Sequence, residues 1–259
     1  MQQSTWMMAR DPAGGGRAIA AAAGCRMDFI AIALLPPEKV DAARSHCAPD
    51  RAGRPAVCLA GLPEGVRAPP DPEGAKACLR PAPDPTAATG APPLAGVTNG
   101  GIGEGTGVPP GQAECDNVAR AVADAAVHPE CPGLAFGIDP ANRHESRILA
   151  SGRHAVGMIK RAGAGNIFGR LETCRMTIGG RGRAPGILEA AGHPRCIHLA
   201  ASDRVTPRPG TVRRDKVFAV PKAAGLKCGL AIWRPVAASR DLARGQGLPF
   251  LRTRAWNTG

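Results

Sequence analysis

From Asp116 to Gly245 the chain alternates short apolar runs with stretches of helical periodicity, and this alternation constrains the fold more than any other feature. "DNVARAVADAAV" places Val118, Ala121, Val122 and Ala125 on one helical face, with Asp116 in the N-cap position. "GLAFGID", Gly133 to Asp139, reads as a strand, "ANRHESRILA" as a short helix, and "HAVGMIK", His154 to Lys160, as a strand or a further helix. "ETCRMTI", "PGILEAAG", "RCIHLA", "KVFAVPKAAG", "LKCGLAI" and the helical "VAASRDLARG" continue the pattern. Strands alternating with helices build βαβ units on a mainly parallel sheet. The expected fold is α/β, a partial or degenerate (β/α) barrel-like parallel sheet, with residues 116–259 as a basic α/β domain.

Upstream the signal is thinner. "MDFIAIALL", Met27 to Leu35, reads as a buried strand and "PPEKVDAARSHC" as a helix opened by proline and glutamate. "RPAVCLAGL", Arg54 to Leu62, is a second strand, so 27–62 forms a short βαβ-like segment. Residues 1–26 are rich in Gly and Ala and are expected to be a disordered extension. Residues 63–115 hold eleven prolines and little apolar periodicity, and are expected to be linker or disorder.

Composition limits the core. Ala, Gly, Arg and Pro make up about half of the 259 residues, while Tyr is absent and Phe and Trp number only 5 and 3. A buried large apolar side chain contributes roughly 1.5–3 kcal/mol, so a core built here relies on small and aliphatic groups. The same skew is what an unselected GC-rich reading frame gives, and that reading stays open at this level.

Charge is unevenly spread. Residues 1–140 carry 11 Lys and Arg against 15 Asp and Glu, whereas residues 141–259 carry 22 against 6, and the chain totals +12. A basic half attracts phosphate, on nucleic acid or on a small metabolite. The nine cysteines are scattered, with no C-x-x-C pair, which points to neither a zinc ribbon nor a disulfide framework and suits a reducing, cytoplasmic setting. No 18-residue apolar run exists, so no membrane-spanning helix is expected.

Three glycine patterns could approach phosphate: "NGGIGEGTG" (Asn99 to Gly107), "GAGNIFG" (Gly163 to Gly169) and "GGRGRAPG" (Gly179 to Gly186), the last with Arg181 and Arg183. None has a clear acid closing the next strand, and in a chain with 34 glycines they read better as turns. "HPRCIH" puts Cys196 and His198 on one face of a strand, half of a metal site whose second half is not apparent in the sequence. In "RHESR", Glu145 lies between cations and reads as part of a solvated helix face.

One stretch carries a family likeness. "KAAGLKCGLAI", Lys222 to Ile232, resembles the segment of ribulose-phosphate 3-epimerases in which a helix ends and the fifth barrel strand begins. "IHLAAS" resembles that family's preceding strand, "TCRMTI" sits where its D-x-H-M-M-V strand falls, and Asp116 to Asp139 echoes its first helix and strand. The likeness spans about residues 116–243. It implies a (β/α)₈ barrel that moves a proton at carbon 3 of a pentulose phosphate, using two acids and a divalent metal. The departures are substantial: Ala135-Phe136-Gly137 replaces the first-strand H-x-D, Arg175 falls at the second-strand metal His, and Asn99 stands for the Asp of a D-G-G-I-G motif. Asp139 remains as the catalytic acid, His198 as the metal candidate, and Arg181, Arg183 and Lys222 as anion contacts.

Three readings follow. One is an α/β protein binding a phosphorylated sugar, a degenerate epimerase. Another is a basic protein gripping nucleic-acid backbone phosphates, which the shortage of stacking aromatics weakens for single strands. The third is the unselected frame.

Overall fold

The structure, a computed structural model, describes residues 3–7, 29–33, 56–59, 61–63, 65–80, 93–98, 107–127, 133–179, 183–190, 192–200, 220, 223 and 229–232. Eight strands follow one another around a closed parallel barrel: β1 (Gln3–Met7), β2 (Phe29–Ala33), β3 (Ala56–Leu59), β4 (Pro93–Gly96), β5 (Ala135–Ile138), β6 (Ile167–Glu172), β7 (Pro194–Leu199) and β8 (Gly229–Ile232). Each pairs with the next, and β8 closes on β1 through Gln3↔Leu230, Ser4↔Ala231 and Thr5↔Ile232. The expected barrel-like parallel sheet is therefore present, and it is closed rather than partial. Helices are α1 (Pro72–Leu79), α2 (Gln112–Ala126), α3 (Gly152–Ala162), α4 (Thr173–Gly179) and α5 (Arg183–Glu189).

Several sequence expectations change. Gln3–Met7, inside the supposed 1–26 extension, is β1. The 63–115 span read as linker holds α1 and β4 and ends in the first turn of α2. The prolines there do local work. Asp71 caps α1 by accepting from the Gly74 amide at 2.8 Å, and Pro72 fills the first helical position, where its missing N–H costs nothing. "TCRMTI" is not a strand but α4, and "ANRHESRILA" is an irregular loop with turns. "LKCGLAI" supplies the eighth strand, not the fifth. The helix expected at "PPEKVDAARSHC" and the Asn99 glycine pattern up to Thr106 lie outside the described residues.

Helix ends follow capping chemistry. α2 begins a turn earlier than Asp116: Gly111 is its N-cap, and Glu114 Oε2 accepts from the Gly111 amide at 2.8 Å. The apolar face of Val118, Ala121, Val122 and Ala125 is buried as expected. "HAVGMIK" is helical, because Ser151 Oγ accepts from the His154 amide and Gly163, at φ 72°, ends α3 in the left-handed conformation that glycine takes without strain. "GAGNIFG" is thus a helix stop leading into β6, the turn that its glycines suggested.

Period-two alternation sorts β4 to β7 into two faces. Leu94, Phe136, Ile138, Ile167, Leu171, Ile197 and Leu199 join the helices' Val118, Val122, Ala155, Ile159 and Ile187 in one apolar layer between sheet and helices. The alternate residues turn to the barrel axis: Ala95, Gly137 and Asp139, then Phe168, Arg170 and Glu172, then Cys196 and His198. Gly137 makes room for a neighbouring ring, since a Cβ there would stand 2.6 Å from the Ala95 Cβ and 2.6 Å from Phe168 Cζ. Gly137→Val should therefore overpack the axis and cost about 1–3 kcal/mol. A lowered urea midpoint at unchanged m-value is the expected result, and an unchanged midpoint would mean that Phe168 has space to move aside.

Candidate functional site

The C-terminal ends of β5, β6 and β7 deliver charged side chains to one place. Asp139 follows directly on β5 and is fully buried, and Arg170 and Glu172 are alternate, buried residues of β6. Arg175 stands in the first turn of α4, and His198 is buried on β7. Ligand and catalytic groups of parallel barrels gather at this end, because the loops leaving the strands converge there.

Asp139 is the hub. Its Oδ2 accepts from Arg170 Nη2 at 2.5 Å and from Arg175 Nη1 at 2.8 Å. Arg175 Nε donates to Glu145 Oε2 at 3.1 Å and lies 3.6 Å from Glu172 Oε2. Three carboxylates thus face Arg175, and one of them also holds Arg170, in a space from which water is largely excluded. Burial alone would lower the Arg175 guanidinium, but the carboxylates of Asp139, Glu172 and Glu145 outweigh it and raise its proton affinity above the ordinary value. His198 goes the opposite way: burial, then the charges of Arg170 and Arg175, hold it well below 6.5 and keep the imidazole neutral.

Local structure holds these groups. A register shift between Gly169 and Arg170 against β7 places a bulge beside the site, a device that re-aims a strand side chain. Glu172 Oε1 accepts from the Cys174 amide at 2.9 Å in the first turn of α4. Thr173 Oγ1 donates to the Ala200 carbonyl and accepts from the Ala200 amide, tying the ends of β6 and β7 together. Glu145 comes from the loop after β5, which Asn142 folds back: Asn142 Oδ1 accepts from the His144 amide, and its carbonyl accepts from the amides of Glu145 and Ser146. Arg147 anchors the same loop on Glu114 of α2. A small cleft between this loop and the helices α3, α4 and α5 has Glu172 and Arg175 in its wall.

The sequence candidates fare unequally. Asp139 sits at the centre of the cluster and His198 at its edge, with Cys196 buried on the same strand as expected. Arg181 and Lys222 lie outside the described residues, and of Arg183 only its place at the start of α5 is described. Glu145, read as part of a solvated helix, is instead in the network with a side chain 16% exposed. Arg170 and Glu172 were missed. Their signal is present, two charges spaced by two in an otherwise apolar strand, but the family likeness sets a strand at "TCRMTI", which hides the pair.

A divalent metal, implied by the family likeness, finds no fit here. Among the described residues no group of three or more His, Cys, Asp or Glu side chains could hold an ion, His198 included, and Asp139 is taken up by two guanidiniums.

The chain is 27% identical over 267 residues to an L-ribulose 3-epimerase of Methylomonas sp. (strain DH-1), covering 93% of this chain and 92% of that protein. The likeness is to a sugar 3-epimerase. A solved D-allulose 3-epimerase from Methylomonas sp., in complex with D-allulose, superposes with a TM-score of 0.88 at 24% identity over 98% of this chain and 97% of that one. An AP endonuclease of family 2 from Brucella melitensis shares the fold, with a TM-score of 0.76 at 18% identity over 100% of both chains. No family model matches the sequence. The similarity therefore runs to L-ribulose and D-allulose 3-epimerases, not to ribulose-phosphate 3-epimerases specifically, and along nearly the whole chain in place of residues 116–243.

Two predictions follow from the ion network. Removing one partner of a buried pair leaves an uncompensated charge, so Asp139→Ala should cost about 3–5 kcal/mol. Glu73→Ala, which breaks an ion pair whose carboxylate is 74% exposed, should stay within about 0.5 kcal/mol. Urea titrations of the two variants make the comparison, and equal midpoints would contradict the buried hub. The second concerns pH. His198 binds a proton less readily folded than unfolded, so its contribution is present above pH 6.5 and is lost as pH falls below that value, where the unfolded chain takes up the proton. The urea midpoint of the wild-type chain should fall below pH 6.5 more steeply than that of His198→Gln, and identical slopes would refute this.

Proposed function

We propose that this chain is a ketose 3-epimerase-like enzyme acting on an unphosphorylated keto-sugar at the C-terminal face of its barrel. The observation that carries this reading is the buried cluster of Asp139, Glu145, Glu172, Arg170 and Arg175 at the strand ends, in a chain 27% identical over 93% of its length to an L-ribulose 3-epimerase. The solved relative holding D-allulose supports a free sugar over a phosphorylated one.

Epimerisation beside a ketone needs little chemistry. A carboxylate removes the proton on the carbon next to the carbonyl, the carbonyl oxygen takes the negative charge, and a proton returned to the opposite face gives the epimer. No electrons are exchanged with a second reactant. Asp139 and Glu172, at the ends of adjacent strands, are the carboxylates in position for the proton steps, and the guanidiniums are the neighbours suited to a developing oxyanion. This keeps Asp139 as the catalytic acid and adds Glu172. Arg175 and its partner Glu145 position the sugar.

Nucleic-acid binding through the basic half is disfavoured by where its arginines go. Arg147 pairs with Glu114, Arg153 with Glu189, Arg161 with Asp116, and Arg170 and Arg175 with Asp139, which leaves these five engaged within the chain.

The test is incubation of the purified chain with L-ribulose and with D-allulose, followed by chromatography of the products. The C3 epimer is expected from at least one of them. Glu172→Gln should lower kcat by a factor of about 10²–10⁴ while circular dichroism stays native. Wild-type protein that converts neither ketose and is not stabilised thermally by either would overturn the reading.

A further inference from the structure

Barrels that shift a proton beside a ketone through a divalent cation need carboxylates free to ligate it, and here each carboxylate of the cluster already faces an arginine. Asp139, fully buried, gives one carboxylate oxygen to two arginines at 2.5 and 2.8 Å. Glu145 and Glu172 both lie on the Nε side of Arg175, at 3.1 and 3.6 Å. The two guanidiniums are themselves almost wholly buried, with side chains 7% and 10% exposed. Guanidinium stays protonated at any working pH, so these two positive charges are permanent fixtures of the site.

We propose that Arg170 and Arg175 do the electrostatic work of a divalent cation in this barrel, and that the site functions without a metal ion. The proposal rests on the ketose reading above and deepens it by naming the electrophile. Two unit charges in fixed positions compensate the carboxylates, as one divalent ion would. A further dication brought among them would meet two like charges in a medium that screens poorly, and at Asp139 only Oδ1 is not already held by an arginine. The cluster also keeps donors in reserve. Arg170 Nε and Nη1 are buried and have no hydrogen-bond partner among the described residues, and neither has Asp139 Oδ1. A ketose offers the matching set, a carbonyl oxygen that accepts and a neighbouring hydroxyl that donates. When the proton leaves, the oxygen becomes an enediolate oxygen, and charge-assisted bonds from a guanidinium strengthen at that moment. Lys would not substitute, because one ammonium on a flexible stem cannot hold the carboxylate and still present further donors in fixed directions.

The test uses Mn²⁺ as the probe and no sugar. The full chain, purified without chelator, is assayed for metal by mass spectrometry and titrated with Mn²⁺ in a calorimeter, and its Tm is recorded with and without EDTA. The wild-type chain should carry no stoichiometric metal, give no saturable Mn²⁺ heat and keep its Tm in EDTA. One Mn²⁺ per chain, or a Tm lowered by EDTA, overturns the proposal. Arg170→Gln/Arg175→Gln should then acquire Mn²⁺ binding at least about tenfold tighter than wild type, as carboxylates stripped of their guanidiniums become available to a hard cation. Arg170→Gln, which leaves Arg175 on Asp139, serves in the same measurement if the double variant does not fold. A native circular dichroism spectrum with no gain in Mn²⁺ affinity would show that the guanidiniums do not occupy a cation's place, and would overturn the proposal as well. A chain that converts no ketose defeats the preceding reading without changing these metal readouts, so the two failures remain distinct.

Discussion

One buried carboxylate oxygen organises this end of the molecule. Asp139 Oδ2 is held between the guanidiniums of Arg170 and Arg175, so that β5, β6 and α4 meet at a single atom. Placing an aspartate and two arginines where water is excluded is expensive, and the arrangement is tolerable only because each charge faces another. The surrounding order follows from that requirement. The β6 bulge re-aims Arg170, the α4 amide at Cys174 fixes Glu172, and the Asn142 turn brings Glu145 back to Arg175. Such expensive polar burial sits poorly with a merely structural barrel core, which alternating apolar residues would fill at lower cost.

The same interactions account for the charge asymmetry between the two halves of the chain. Glu114, Asp116 and Asp139 belong to the acidic half, and their partners Arg147, Arg161, Arg170 and Arg175 to the basic half. A feature that reads in one dimension as a basic tract awaiting an external polyanion is in three dimensions partly an internal pairing across βα units. A barrel makes this natural, because residues 36 or 45 positions apart lie on adjacent strands and helices. The pairs reaching the surface, such as Arg161 with Asp116, contribute little each, whereas the buried hub contributes through the penalty of breaking it.

How much of this was legible in the sequence depended on which physical signal each residue carried. The α/β alternation was legible because the apolar layer between sheet and helices repeats with the two periods, as Phe136, Ile138, Ile197 and Leu199 show against Val118 and Val122. Strand number was not, since β1 and β4 are short and sit in Gly-, Ala- and Pro-rich text that carries the composition of loops. Parallel pairing with neighbours on both sides holds such segments in place, a tertiary effect that no local window contains. Asp139 was legible as an acid closing a strand. Arg170 and Glu172 were not, because the boundary between β6 and α4 falls within "RLETCRM", and assigning the second half to a strand erased the alternation that pairs them. Glu145 was missed for a related reason: "RHESR" has helical charge spacing, yet Asn142 captures the backbone in a turn before a helix can start.

Fold alone leaves the chemistry open, since this barrel also frames an endonuclease. What separates the two uses is the direction of the positive charge. A site for nucleic acid presents cations outward, where phosphates reach them and counterions can be released. Here the two cations of the cluster are turned inward onto carboxylates, and with His198 held neutral its five charged groups carry one more negative charge than positive. Such a site repels a polyanion at its centre. Its charge suits a neutral, hydroxyl-rich molecule that can trade hydrogen bonds with buried donors and acceptors without bringing charge of its own. That electrostatic preference, more than the barrel around it, is the argument for a free keto-sugar.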